Sequence, residues 1–248
     1  MATPAWLTAR PIAHRGLHDR RQNLIENTVG AAKAAILQNF AIECDVQLTA
    51  DGEVIVFHDD ELDRLTTSQG AVKKRTLAEI KALTLKNTDE KIPTLGEFLA
   101  NISGQTPLIC EIKSSFDANP VPADRCCAIL QSYDGPVAIK SFDPFVVANI
   151  RVLAPERPRG FIGESRYDDP EWDFLTAPEK QALISLNHLV DTNPDFLSWY
   201  CKDLEQTGPC LGRSVVGLPL MTWTVRNKEE MLHAYKFADQ IVFENFIP

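Results

Sequence analysis

The sequence predicts an α/β protein of the (β/α)8 TIM barrel class, with a small insertion after the second barrel strand. Three observations predict it. The 248 residues lie close to the roughly 250 that such a barrel takes. Short apolar or alternating segments recur eight times, with helical stretches between most of them. One region, at about 50–95, breaks that rhythm without breaking the composition, as an insertion would. Length alone also admits two smaller domains, and an open doubly wound sheet is the competing architecture. With no low-complexity linker and no internal repeat, one domain over 1–248 is expected.

The elements follow in order. Pro11 to His14 is a short apolar strand, and Asn27 to Asn39 is a helical stretch rich in alanine. Ala41 to Leu48 alternates as a strand does, completing a β-α-β unit. The Asp51-Gly52 pair is a hairpin signal, so Val54 to Phe57 is expected to fold back beside the preceding strand. A polar, charged run follows. Further strands are predicted at Leu108–Lys113, Val137–Ser141, Gly160–Gly163, Asp195–Tyr200, Pro219–Val225 and Gln240–Glu244. Helices are predicted at Ala123–Gln131, Phe145–Leu153, Ala177–Asn187 and Lys228–Phe237.

Composition narrows the function classes. A net charge of −9 weighs against nucleic acid or an anionic membrane surface as partner, because binding a phosphate chain requires a basic stripe. The densest basic run, Lys73-Lys74-Arg75, is brief and reads as a solvated loop or helix start. A small anionic substrate stays open, since a bound cation can invert the local field. No secretory signal or long apolar span is visible, so a cytoplasmic protein without stable membrane insertion is expected. The 6 cysteines then read as reduced thiols, and the adjacent Cys126-Cys127 suits neither a bridge nor a zinc site.

The chemistry concentrates at predicted strand ends. Alternation places Glu43, Asp45 and Gln47 on one face and Ile42, Cys44 and Val46 on the other. Two carboxylates on the inner face would repel each other and lose hydration unless a cation sat between them. The bland reading is a polar face on an exposed edge strand. Glu111 and Lys113 share a face in the next barrel strand, where a surface ion pair is the alternative. Three carboxylates without a Cys or His cluster suit a hard cation. His14 and His58 each end a strand, the first followed by Arg15 and the second by Asp59, as an acid/base pair beside an anion-binding guanidinium would be. His18, His188 and His233 read as surface or packing residues.

In order, the chain shows His14-Arg15-Gly16, Glu26-Asn27-Thr28, Glu43-x-Asp45, Asp51-Gly52 with His58-Asp59, Leu62-x-Arg64-x-Thr66, Ile92-Pro93-Thr94-Leu95, Glu111-x-Lys113 and Trp223-Thr224-Val225. This combination closely resembles the glycerophosphodiester phosphodiesterase family, a TIM-barrel family with a small insertion after the second strand. The likeness is dense from Ile12 to Lys113 and returns at Ser141-Phe142-Asp143 and Trp223. The resemblance implies metal ligands at Glu43, Asp45 and Glu111, catalytic histidines at His14 and His58, and phosphate-binding groups at Arg15 and Lys113. It implies substrate contact near the glycerol end for Trp223, for which core packing is the alternative, and a supporting place behind the site for Glu26.

Two departures stand out. Ile25 replaces the proline common before Glu-Asn-Thr, and the chain's last strand reads Phe243-Glu244-Asn245-Phe246-Ile247-Pro248 where the family commonly has Thr-Asp-aromatic-Pro. Glu244 is the acid available to replace the missing aspartate. The implied activity is metal-dependent hydrolysis of a small glycerophosphodiester to glycerol 3-phosphate and an alcohol, with one divalent cation, Mg2+ favoured and Ca2+ or Mn2+ as alternatives. A lysophospholipase D-like or sugar-phosphodiester hydrolase is the rival enzyme, and a barrel that only binds a phosphorylated ligand is the rival outside catalysis.

Overall fold

A computed structural model describes residues 3–248. Eight parallel strands close into a barrel: β1 (Ile12–Ala13), β2 (Ala41–Leu48), β4 (Leu108–Ile112), β5 (Val137–Ser141), β6 (Arg159–Gly163), β7 (Phe196–Tyr200), β8 (Leu220–Val225) and β9 (Gln240–Phe243). β1 pairs with β9 on one side and β2 on the other, which closes the ring. The remaining strand, β3 (Val54–Val56), runs antiparallel to the upper half of β2, as the Asp51-Gly52 signal requires.

Inward-facing Ile12, Ala41, Ile109, Phe196, Met221 and Val242 fill the lower barrel, and Trp6 and Leu7 of a short N-terminal 3-10 turn plug its floor. Gly160 belongs to this packing: a Cβ there would stand 2.3 Å from the Phe196 ring, so glycine makes room for the large side chain opposite. The outward residues of the strands pack under a coat of helices. Among these, α1 (Val29–Leu37) buries Ala31, Ala32 and Ala35, and α4 (Val121–Leu130) sets Cys126 and Cys127 into the same apolar layer as Cys44 and Cys110. All six cysteines are free thiols, in keeping with the expectation from the sequence.

After β3 comes the excursion, which carries α2 (Leu77–Ala82) and has an apolar centre of its own around Leu62, Val72, Ile80 and Ile92. It ends where Thr94 and Glu97 form a capping box that opens α3 (Leu95–Ile102), the helix coating the barrel after β2. Neither α2 nor α3 is among the elements predicted above. The remaining helices are α5 (Pro144–Leu153), α6 (Ala177–Ile184), the single turn α7 (Leu189–Thr192), α8 (Thr207–Leu211) and α9 (Lys228–Ala234). Predicted strand ends at Pro11, His14, Lys113, Asp195, Pro219 and Glu244 lie just outside the hydrogen-bonded ladders, the usual margin for element boundaries.

Candidate active site

The site lies at the carboxyl ends of the strands, and strand register builds its centre. Asp45 on β2 stands opposite Glu111 on β4, which stands opposite Lys140 on β5. Glu43 lies two residues before Asp45 and points the same way. Each of Glu43, Asp45 and Glu111 offers a carboxylate oxygen, and the three atoms lie within 4.8 Å of one another, all buried. Lys113 Nζ reaches Glu111 at 2.8 Å and Asp45 at 3.2 Å, while Lys140 Nζ reaches Glu43 at 3.1 Å and Glu111 at 3.4 Å.

Burial opposes ionisation of Asp45, but Lys113, His58, Arg15 and His14 outweigh it and hold the carboxyl well below its usual range. Glu111 is likewise lowered against burial by Lys113 and Lys140. Burial acts against the charge on Lys113 and Lys140 too, and the carboxylates reverse it, so both ammonium groups are held above their ordinary values. The centre is thus a set of fixed charges. Glu43 Oε1, despite its ion pair, accepts no well-formed hydrogen bond. An all-oxygen donor set with an unsatisfied buried carboxylate oxygen fits a hard divalent cation held by Glu43, Asp45 and Glu111.

The loop after β1 supplies the next layer. Arg15 adopts a left-handed conformation with φ +54, and this turns its backbone N–H onto Glu43 Oε2 at 3.1 Å. Its guanidinium lies 3.3 Å from Asp45 and donates to Glu26 at 2.6 Å. Asn27, also left-handed with φ +58, donates to Asp45 Oδ2 at 2.9 Å and accepts from the Asp45 backbone N–H at 3.2 Å. Gly16 follows with φ +78 at a point where a Cβ would meet Ala31 at 2.8 Å. The tight turn therefore depends on glycine.

His14 Nδ1 lies 2.7 Å from Glu244 Oε2, and His58 Nδ1 lies 2.9 Å from Asp59 Oδ1. A carboxylate only accepts, so each ring carries its proton on Nδ1 and keeps Nε2 for other chemistry. Glu244 is held well below the usual carboxylate range: burial opposes this, and the hydrogen bonds from His14 and Arg226, with the His18 ring nearby, prevail. The unusual final strand therefore does supply an acid to the site. His18 differs from its expected surface or packing role, since its ring stands 3.7 Å from the same carboxylate. His188 packs on Phe161 with ring centroids 4.0 Å apart, and His233 is half-buried at the surface of α9 against Phe237, as expected of surface or packing residues.

Glu26 holds the first loop to the excursion. Arg64 reaches it with two bonds of 2.8 and 2.7 Å, and grips Asp59 with bonds of 2.6 and 2.8 Å. Burial raises the Glu26 pKa, but Arg64 and Arg15 overcome that and bring it to about 2. Trp223 is half-buried at the top of β8, its indole donating to Ser198 O at 3.1 Å and its ring meeting Phe142 at 5.4 Å and Tyr200 at 5.3 Å. It also packs against the apolar cluster inside the barrel that includes Ile12, Ile109 and Met221. The sequence missed Lys140, Asn27 as a ligand-orienting group, and Arg226. For Lys140 the signal was its place on the inner face of a strand, in register with Glu111.

Comparison with known proteins agrees with this geometry. The family model for the glycerophosphoryl diester phosphodiesterase family matches residues 14–246. The glycerophosphodiester phosphodiesterase of Caldanaerobacter subterraneus subsp. tengcongensis is 32% identical over 230 residues, covering 89% of this chain and 87% of its own. That of Bacillus subtilis is 29% identical over 228 residues, covering 83% and 73%. Among solved structures, an Oleispira antarctica phosphodiesterase in complex with the product sn-glycerol-3-phosphate superposes with a TM-score of 0.76 at 26% identity, covering 94% of this chain and 91% of that one. The closed barrel, the buried carboxylate triad and a match across almost the whole sequence place this chain in the glycerophosphoryl diester phosphodiesterase family.

Proposed function

We propose that the protein is a divalent-metal-dependent phosphoric diester hydrolase that cleaves glycerophosphodiesters to glycerol 3-phosphate and an alcohol. The observation that carries this reading is the convergence of three buried carboxylates, two cationic side chains and two carboxylate-oriented histidines at the mouth of one barrel. Product binding in the Oleispira antarctica relative supports the same substrate class.

A phosphodiester resists attack because its anionic oxygens repel nucleophiles and its alkoxide is a poor leaving group. In the proposed reaction, Arg15 and Lys113 face the non-bridging oxygens and stabilise the charge that builds on them. Nε2 of His14 takes the proton of the attacking nucleophile, and Glu244 stabilises the imidazolium that forms. That nucleophile is water or the neighbouring glycerol hydroxyl, the latter giving a cyclic phosphate that water then opens. His58, held by Asp59, delivers a proton to the departing alcohol oxygen. Trp223 bounds the glycerol end. Glu43, Asp45 and Glu111 would hold a divalent cation, Mg2+ being our preferred ion, which would supply Lewis-acid charge at the phosphate. Six free thiols suit a reducing compartment, which supports the cytoplasm as the setting.

The test is a metal-titrated turnover assay over glycerophosphodiesters, a lysophospholipid and a sugar phosphodiester. His14→Ala and His58→Ala are each expected to lose about 10²–10⁴-fold in kcat. Near-full metal-dependent activity in both variants would overturn the acid/base assignment.

A further inference from the structure

Lys140 takes no part in the proposed reaction, yet it stands at the centre of the site. Its side chain is only 3% exposed, and Nζ lies 3.1 Å from Glu43 Oε1 and 3.4 Å from Glu111 Oε2, on two of the three carboxylates that fit the metal. The pairing leaves Glu43 Oε1 without a well-formed hydrogen bond, so that oxygen keeps capacity for another partner. Arg15 and Lys113 complete the set: the first lies 3.3 Å from Asp45, and the second reaches both Asp45 and Glu111. Three carboxylates are thus matched by three cations before any metal or substrate arrives. The cations differ in access. Arg15 and Lys113 are 17% and 26% exposed, open enough to meet a phosphate, whereas Lys140 is sealed off and its charge is met by carboxylates alone. An ammonium group buried here carries a desolvation cost that a neutral side chain would avoid, and what it changes is the charge that a divalent cation would meet.

We propose that Lys140 is a built-in counter-cation that keeps the metal exchangeable, so that the free protein holds a divalent ion loosely and a phosphate-bearing ligand is needed to hold it firmly. This rests on the metal-dependent hydrolytic reading of the site. In the free centre the charges already balance, so a divalent ion gains little net attraction and meets the repulsion of Lys140 across two of its ligands. A phosphate group that engages Arg15 and Lys113 takes their charge off Asp45 and Glu111. Three carboxylates then face Lys140 alone, and the two negative charges left over equal the charge of the ion. With a neutral residue at position 140, the free centre would already carry one unbalanced negative charge and would hold the metal more firmly. Lys140 is thus a positioning residue, acting on the ion through Glu43 and Glu111 and not on the substrate.

Calorimetric titration of Mg2+ tests this, with and without saturating sn-glycerol 3-phosphate, on wild type, Lys140→Met and Lys140→Gln. Wild type is expected to bind Mg2+ about tenfold more tightly when glycerol 3-phosphate is present, and glycerol 3-phosphate to gain the same factor from Mg2+, since such coupling is reciprocal. Both variants are expected to bind Mg2+ about tenfold more tightly than wild type when no phosphate is present. Lys140→Gln keeps a donor toward Glu43 and loses the charge, so the same gain in both variants separates charge from packing. A variant too unstable to titrate is read by its Tm over a Mg2+ series, where the charge effect appears as half-maximal stabilisation at a lower Mg2+ concentration than in wild type. Mutually independent affinities in wild type, or unchanged or weaker Mg2+ binding in the variants, would overturn the proposal. Absence of turnover on every diester, with these shifts in Mg2+ affinity intact, would count against the hydrolytic reading and leave the role of Lys140 standing.

Discussion

At the scale of single residues, the site is a system of charges that hold one another in place. Glu26 shows the energetic side of this. Its pKa of about 2 in the folded chain, against 4.5 for an unperturbed side chain, means that the folded state favours the ionised form. Such a group contributes stability above the unfolded value and loses it as pH falls through the folded one. We expect Glu26→Gln to lower stability by up to about 3 kcal/mol near neutral pH, with the gap to wild type closing between roughly pH 5 and pH 2 in thermal melts. Glu164 behaves oppositely: burial, then Glu171, Asp169 and Asp203, raise it to about 7. Folding there favours the protonated acid, so stability is lost as pH rises from the unfolded value toward 7. Glu164→Gln should therefore raise Tm at pH 8 and have little effect at pH 4, a difference readable by calorimetry.

Secondary-structure elements hand these residues to the site, and here the sequence was readable in part. Period-two alternation exposed Glu43 and Asp45 because β2 is long enough for the pattern to repeat. The hairpin to β3 was readable from Asp51-Gly52 because few residues accept the φ of +78 that Gly52 adopts. Helix α3 stayed hidden because its eight residues span little more than two turns and include Gly96 and Asn101; its capping box, Thr94 to Glu97, was the available signal. Lys140 stayed hidden for another reason. Local alternation puts it on the inner face of β5, but its pairing with Glu111 depends on register between strands, which that alternation does not set. Two measurements belong at this scale. Thr94→Ala should cost about 1 kcal/mol in denaturant unfolding through loss of the cap. Gly16→Ala should lower both stability and kcat, since the new methyl presses on Ala31 and shifts the turn that carries His14 and Arg15; unchanged activity would show that the turn tolerates the strain.

Across the whole molecule, the barrel supplies rigidity from below and chemistry from above. Its fold class was legible because eight strand signals within 248 residues leave little room for another arrangement, and because the apolar floor of Ile12, Ile109, Phe196 and Val242 obeys the same alternation as the charged mouth. Within the 159–213 segment β6, β7 and α6 were legible, whereas α7 and α8 were not, since they span only four and five residues and carry no sustained period. Divalent metal is expected to act on the whole fold: at about 100 times its Kd it should stabilise the protein by roughly 2.7 kcal/mol. A chelator should abolish activity and reverse the Tm rise, and Asp45→Asn should lose the metal-dependent rise in Tm.

Barrel closure also has a consequence in time. β9 is the last barrel strand in the chain, and it lies between β8 and β1, the first. Glu244, directly after it, meets His14 across 230 residues of sequence. During synthesis, then, nearly the whole barrel emerges from the ribosome as an incomplete ring, with the β1 edge unpaired and His14 lacking its carboxylate. On the proposed mechanism, the nascent chain becomes catalytically competent only when its final strand docks, so closing the fold and switching on the chemistry are one event.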